Sequence, residues 1–255
     1  MPRYHRDGLE LHYFEEGEGP PLVIIPGNTA SGICHAEEMM HFAQRYRVLV
    51  IDPRGTGSFF ARMDTWPVTW WQDVADDIAF LLDDLQLPPA ILVGTSGGAS
   101  IALLAAITHP ERVKAVIADS TVEHFEPENL RIEIKGRQDP AEDLIQFWQF
   151  AHGDDWEQVV NADSELLLKL ADEGGDLFQG RLGTIGCPVL LTGSTADESL
   201  NAIAEQFVSM AEQIPDCQTV LANRGGHPFM WTRPALFRSI ADEFLDSLDQ
   251  DNDNL

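Results

Sequence analysis

A serine hydroxyl acts as a nucleophile at neutral pH only when a neighbouring base can take its proton, so a serine held in a sharp turn is the first place to look for chemistry. Gly94-Thr95-Ser96-Gly97-Gly98 is such a place. It follows an apolar run at 90–94 and precedes a run rich in Ala, Leu and Ile at 99–108, which predicts strand, turn and buried helix. Flanking glycines leave room for a strained serine whose hydroxyl projects above the sheet edge. The amide of Gly97, directly after the serine, is then a candidate oxyanion donor.

Of the eight histidines, His227 is the best candidate for the base. It lies just past the last predicted strand, in Arg224-Gly225-Gly226-His227-Pro228, where the glycines let the loop turn the imidazole back toward the strand ends. The other seven read as solvated or hydrogen-bonded side chains. His5 and His12 belong to an N-terminal hairpin, His35 to an early loop, His41 and His109 to helix ends, and His124 and His152 to a helical segment. The imidazole needs a carboxylate at its second nitrogen, which fixes the tautomer and stabilises the cation formed during reaction. Asp119, Asp197 and Glu198 are the candidates, each close behind a predicted strand.

Positioning such residues requires a sheet. Asp7-Gly8, between short segments at 3–6 and 9–15, predicts a hairpin. Six apolar runs follow, at 21–25, 47–51, 90–94, 113–118, 188–192 and 219–222, and read as buried strands. Helical spacing is clear in Val74, Ile78, Leu81, Leu82 and Leu85 and recurs at 200–211 and 237–248. Strands alternating with helices imply a mostly parallel sheet covered on both faces, with ligands bound at the strands' carboxyl ends. The segment 120–186 breaks the alternation: it holds helical patterns, such as Leu144, Phe147, Trp148 and Ala151, without a convincing strand. The tail from Asp246 carries no hydrophobic period and is expected to fray.

Beyond the serine turn, four motifs stand in order: Pro26-Gly27-Asn28, Asp52-Pro53-Arg54-Gly55-Thr56-Gly57, Gly193-Ser194-Thr195-Ala196-Asp197 and Gly225-Gly226-His227. With them, residues 20–245 resemble the α/β-hydrolase superfamily. The resemblance implies an α/β fold with a mostly parallel eight-stranded sheet, helices on both faces and a helical cap insertion. The core would comprise 1–119 and 187–255, the cap 120–186. It also implies a triad in the order Ser96, Asp197, His227, with Asp119 or Glu198 as the alternative acid, and an oxyanion hole formed by the amides of Asn28 and Gly97. Relatives usually carry histidine where this chain has Pro26, but a proline removes only its own amide. The Asp52 to Gly57 turn would brace the site.

Serine rather than aspartate at 96 separates the chain from the family's dehalogenases and epoxide hydrolases and implies an acyl-serine intermediate, with no metal and no organic cofactor. The expectation is a carboxylesterase acting on a small apolar ester. The same triad serves aminopeptidases, thioesterases, carbon-carbon bond hydrolases and cofactor-free peroxidases, and some relatives are small-molecule receptors with vestigial hydrolysis. Phe147, Trp148, Phe150, Trp156 and Phe178, with Trp66, Trp70 and Trp71, suggest an apolar pocket with little capacity for charged groups.

Composition narrows the partners. With 42 acidic against 16 basic side chains and a net charge of −26, the chain repels phosphate backbones and anionic lipid surfaces, so neither nucleic acid nor membrane is an expected partner. Cys34, Cys187 and Cys217 are too few and too widely spaced for a disulfide framework or a zinc site. The first twenty residues contain no signal-peptide core and no later run spans a bilayer, which fits a cytoplasmic location. An acidic surface with only three lysines, Lys114, Lys135 and Lys169, suits high ionic strength. Screening of self-repulsion then predicts a melting temperature that rises with added sodium chloride.

Overall fold

The computed structural model of the chain describes residues 2–58, 63 and 65–253. Strands β1 (Arg3–Arg6) and β2 (Leu9–Glu16) form the expected hairpin, with Asp7 and Gly8 both at positive φ, as its tight turn requires. The chain continues through β3 (Pro21–Ile25), α1 (Ala36–Phe42), β4 (Arg47–Ile51), α2 (Trp70–Asp84), β5 (Ala90–Thr95), α3 (Gly97–Thr108) and β6 (Val113–Asp119). Three helices follow with no strand between them: α4 (Pro127–Gly136), α5 (Glu142–His152) and α6 (Trp156–Asp172). Then come β7 (Val189–Ser194), α7 (Ile203–Gln213), β8 (Cys217–Ala222), α8 (Phe229–Thr232) and α9 (Pro234–Asp253).

The eight strands form one sheet in the order β1-β2-β4-β3-β5-β6-β7-β8. Only β1 with β2 and β2 with β4 pair antiparallel; every other pairing is parallel. Strand order reverses at β3, which has β4 on one side and β5 on the other. Loops leaving neighbouring strands there diverge and open a crevice.

Alternation along each strand divides the interior in two. Val23, Ile25, Leu49, Ile51, Leu92, Val116 and Ala118 face a core shared with α2, α3, α6 and α7. Leu22, Ile24, Val48, Val50, Ile91, Val93, Ala115 and Ile117 face the other, closed by Phe42 of α1 and by Phe237, Ala241, Phe244 and Leu245 of α9. The apolar runs are continuous because both faces are covered. Helix α9 continues past Asp246, where the sequence suggests fraying, because Phe244, Leu245 and Leu248 still bury against that second core; residues 254 and 255 of the tail lie outside the described residues. Among the described residues, no helix is long and apolar enough to cross a membrane.

Candidate active site

Ser96 leaves β5 with φ 53° and ψ −123°, a conformation that residues other than glycine rarely adopt. Close backbone packing dictates the turn. A methyl group on Gly94 would land on the Gly98 carbonyl, and one on Gly98 would land on the carbonyls of Ile25 and Pro26. The Ser96 amide donates to the Asp119 carbonyl at 2.8 Å, which ties the turn to the end of β6.

His227 arrives from the far edge of the sheet. The chain behind it is anchored where the Phe229 amide donates to Ser120 Oγ at 2.8 Å and the Met230 amide to Asp119 Oδ2 at 3.0 Å. With the loop so held, His227 Nε2 lies 2.9 Å from Ser96 Oγ and His227 Nδ1 lies 2.9 Å from Asp197 Oδ2. The carboxylate is an acceptor only, so Nδ1 carries the proton and Nε2 accepts from the serine hydroxyl. Asp197 is oriented in turn: its Oδ1 accepts from the amides of Ser199 at 2.9 Å and Leu200 at 3.0 Å. Burial of the imidazole opposes its cation, but the hydrogen bond and charge of Asp197, with the charges of Asp119 and Glu133, outweigh it and hold His227 above its ordinary pKa.

The other two acids have different partners. Glu198 accepts from the main-chain amide of His227, at 3.3 and 3.2 Å, and not from its ring. Asp119 is fully buried and accepts from Thr192 Oγ1 at 2.7 Å as well as from the Met230 amide. Burial pushes its carboxyl up to about 6, against the pull of those donors.

The amides of Asn28 and Gly97 lie side by side next to Ser96, since a methyl on Gly97 would come within 3.3 Å of the Asn28 nitrogen. Among the described residues neither amide is engaged by another group. The Asp52 to Gly57 turn sits behind them. Asp52 Oδ1 accepts from the Gly32 amide at 2.7 Å, and buried Arg54 grips Asp77 of α2 through two hydrogen bonds at 2.8 and 2.6 Å.

Above Ser96 opens a cavity of about 310 Å³ at the carboxyl ends of the strands, bounded by the 28–30 loop, by α4, α5 and α6, and by the residues around His227. Its lining departs from the aromatic pocket that the sequence suggests. Of the eight aromatics singled out, only Trp71 and Phe147 line it. Trp66 and Trp70 stack in the core at 4.6 Å, Phe178 and Trp148 are buried elsewhere, Trp148 stacks on Trp156, and Phe150 is exposed. The apolar wall comes instead from residues such as Phe125, Leu130, Leu167, Leu170 and Trp231, and charged side chains join it: Glu126, Glu133 and Arg137. The expected poverty in charge is thus corrected, although Arg137 is already occupied. Its Nη1 donates to Asp163 and its Nη2 to Glu133, each at 2.6 Å.

Of the discounted histidines, His152 keeps to the hydrogen-bonded reading and His35 does not. His152 is fully buried; its Nδ1 accepts from the Gly57 amide at 3.1 Å and its Nε2 donates to the Thr29 carbonyl at 3.0 Å. Among the described residues His35 is neither solvated nor hydrogen-bonded: both its ring nitrogens are buried without a partner there, and burial lowers its pKa to about 3, so it packs as a neutral ring 5.2 Å from Trp231.

Two further residues at the site, Asp163 and Arg137, leave only faint traces in the sequence. Asp163 falls in the stripe Val159, Asp163, Leu166 and Leu170 of α6, and a carboxylate on an apolar stripe signals a buried, partnered charge. Arg137 stands four residues after Glu133, a helical ion-pair spacing.

Residues 20–151 match the family model described as alpha/beta hydrolase fold. The chain is 29% identical over 261 residues, 94% of its length and 96% of the other's, to a Caulobacter sp. (strain K31) protein named "Putative carbamate hydrolase RutD". It is 25% identical over 252 residues, covering 92% and 94% of the two chains, to the Acinetobacter baylyi protein named (E)-2-((N-methylformamido)methylene)succinate hydrolase. The crystal structure of E-2-(acetamidomethylene)succinate hydrolase superposes with a TM-score of 0.78 at 21% identity, over 96% of this chain and 98% of that one. At that identity the likeness speaks to the fold.

Proposed function

Because the chain belongs to the alpha/beta hydrolase fold family, we propose that it is a serine hydrolase that cleaves a small carboxylic ester through an acyl-serine intermediate. The observation that carries this reading is the pair of 2.9 Å contacts joining Ser96, His227 and Asp197 beneath the cavity. Ser96 Oγ attacks the acyl carbon as His227 Nε2 takes its proton, and Asp197 stabilises the imidazolium. The amides of Asn28 and Gly97 receive the oxyanion, a task for which one donor typically contributes about 3 to 4 kcal/mol. Collapse expels the alkoxide, protonated by His227, and water deacylates the serine with His227 again as base. These steps call on no metal and no organic cofactor. In this reading residues 120–186 are a cap that walls the acyl group from water.

The test is a fluorophosphonate probe with a panel of nitrophenyl esters of increasing chain length. Rapid labelling of Ser96 and turnover support the proposal; micromolar ligand binding without labelling or turnover would make the chain a receptor. The names of the two curated relatives favour a second reading, hydrolysis of a carbamate or amide. Nitrophenyl carbamates and anilides matched to the best ester decide between the two readings by the ratio of their kcat/KM values.

The elevated pKa of His227 has a kinetic signature. Only the neutral imidazole accepts the serine proton, so kcat/KM must fall as pH drops through the free-enzyme pKa. Since that pKa is raised, the acid limb is expected above the ordinary histidine value of about 6.5. A limb below that value, or a flat profile from pH 5 to 8, would remove His227 from the role.

Charge in the cavity bears on the acyl group. Among the described lining residues Arg137 is the one guanidinium or ammonium group, and Asp163 and Glu133 already hold it. An unpaired carboxylate loses several kcal/mol on burial, so a nitrophenyl hemisuccinate is expected to show kcat/KM at least ~10-fold below the neutral butyrate. Equal turnover of the two would mean that Arg137 leaves Asp163 to meet the substrate.

A further inference from the structure

We propose that Asp163, fixed by Arg137, is a positioning residue for the oxyanion donor at Asn28; the inference rests on the serine-hydrolase reading above. Asp163 is fully buried on α6, and its two oxygens face different elements. Oδ2 accepts from Arg137 Nη1 of the turn that ends α4, at 2.6 Å, and Oδ1 accepts from Asn28 Nδ2 at 2.6 Å. The other end of the Asn28 carboxamide is also engaged, because Trp71 Nε1 donates to Asn28 Oδ1 at 3.3 Å. A carboxamide gripped at both ends cannot rotate, so its Cβ, its Cα and the amide nitrogen beside Gly97 are held in place.

The same carboxamide lies against the second donor. A methyl group on Gly97 would collide with Asn28 Oδ1, so the Asn28 side chain rests directly on the residue after the nucleophile. Turning it would disturb both amides together. The loop is otherwise secured from the same side: the Thr29 carbonyl accepts from His152, and Ser31 Oγ donates to the Ala151 carbonyl at 2.7 Å. Thr29 itself has φ 56°. Three of the four residues 28–31 are therefore tied through their own atoms to α5 or α6.

A simple staple between the helices and the core would not call for this chemistry. Buried ion pairs are poor stabilisers, and apolar side chains of similar volume often serve as well or better. The stripe that contains Asp163 is otherwise Val159, Leu166 and Leu170, all buried. What an apolar residue at 163 would fail to supply is a directed acceptor for Asn28 Nδ2. Preorganised donors matter because they stabilise charge only in the transition state, so loss of their alignment lowers kcat and leaves substrate affinity nearly unchanged.

The experiment compares wild type with Asp163→Ala, Asp163→Asn, Asn28→Ala and the double variant Asn28→Ala/Asp163→Ala. It measures kcat and KM on a neutral nitrophenyl ester, affinity for a trifluoromethyl ketone that mimics the oxyanion, and thermal melting. Asp163→Ala is expected to lower kcat about 100-fold with KM within about threefold, and to weaken the ketone by the same factor as kcat. Asn28→Ala should match it, and the double variant should be no worse than either, since one device is broken twice. Asp163→Asn has one oxygen for two donors, Arg137 Nη1 and Asn28 Nδ2, and the charged guanidinium takes it, so this variant should lose kcat as Asp163→Ala does. If Asp163→Ala does not fold, Asn28→Ala and Asp163→Asn carry the same comparison. Wild-type kcat in Asn28→Ala or in folded Asp163→Ala, a loss confined to KM, or additive losses in the double variant would overturn the inference. Failure of the wild type to react with a fluorophosphonate would instead overturn the serine-hydrolase reading, so the two failures are distinct.

Discussion

Ser96→Ala is expected to lower kcat on a neutral nitrophenyl ester by roughly 10⁶-fold and to abolish fluorophosphonate labelling. The substitution removes only Oγ, which faces the cavity and His227 Nε2. His227 keeps its bond to Asp197 and the turn keeps its backbone contacts, so melting should move by no more than ~2 °C. What survives should be the contribution of the oxyanion amides and of binding, roughly 10³ to 10⁴ over the reaction in water. Turnover by the variant within about a hundredfold of wild type would show that another group is the nucleophile.

Asp197→Asn should be nearly as damaging, with a loss of about 10⁴ in kcat at neutral pH and little change in folding. The reason lies in how the carboxylate is used. Oδ1 is committed to the amides of Ser199 and Leu200, a role that an asparagine oxygen fills equally well. That leaves the amide NH₂ facing His227 Nδ1 at the position now occupied by Oδ2. An NH₂ group donates, so Nδ1 must become the acceptor and Nε2 must carry the proton. A protonated Nε2 cannot take one from Ser96. Full activity in this variant would transfer the acid's role to Asp119 or Glu198, although the first is committed to Thr192 and Met230 and the second meets the main chain of His227.

The middle of the sheet was legible because β3 to β7 are buried on both faces, whereas β8, whose run 219–222 reads as buried, is a half-exposed edge. The runs 21–25 and 48–51 are wholly apolar and fall in the paired strands β3 and β4. The serine turn was legible for a related reason, since only glycine tolerates the backbone contacts around 94 and 98. The cavity was not. Which aromatic faces the core and which faces the substrate depends on how α4, α5 and α6 pack, and hydrophobicity alone does not distinguish Trp70, stacked in the core, from Trp71, in the cavity wall. His35 escaped for the opposite reason: its chemistry invites a polar surrounding, and packing supplied none. Asp163 left a trace in the helical stripe, but its partner Asn28 stands 135 residues earlier in the chain.

The ties between residues 28–31 and the helices α5 and α6 set a rule for recombination among relatives. A chimaera that imports the 120–186 segment from a homologue while retaining the native 28–31 loop would separate hydrogen-bonding partners that belong to opposite sides of the graft. Transplanting the two stretches together preserves those partners, so the smallest exchangeable unit for altering selectivity is discontinuous in sequence.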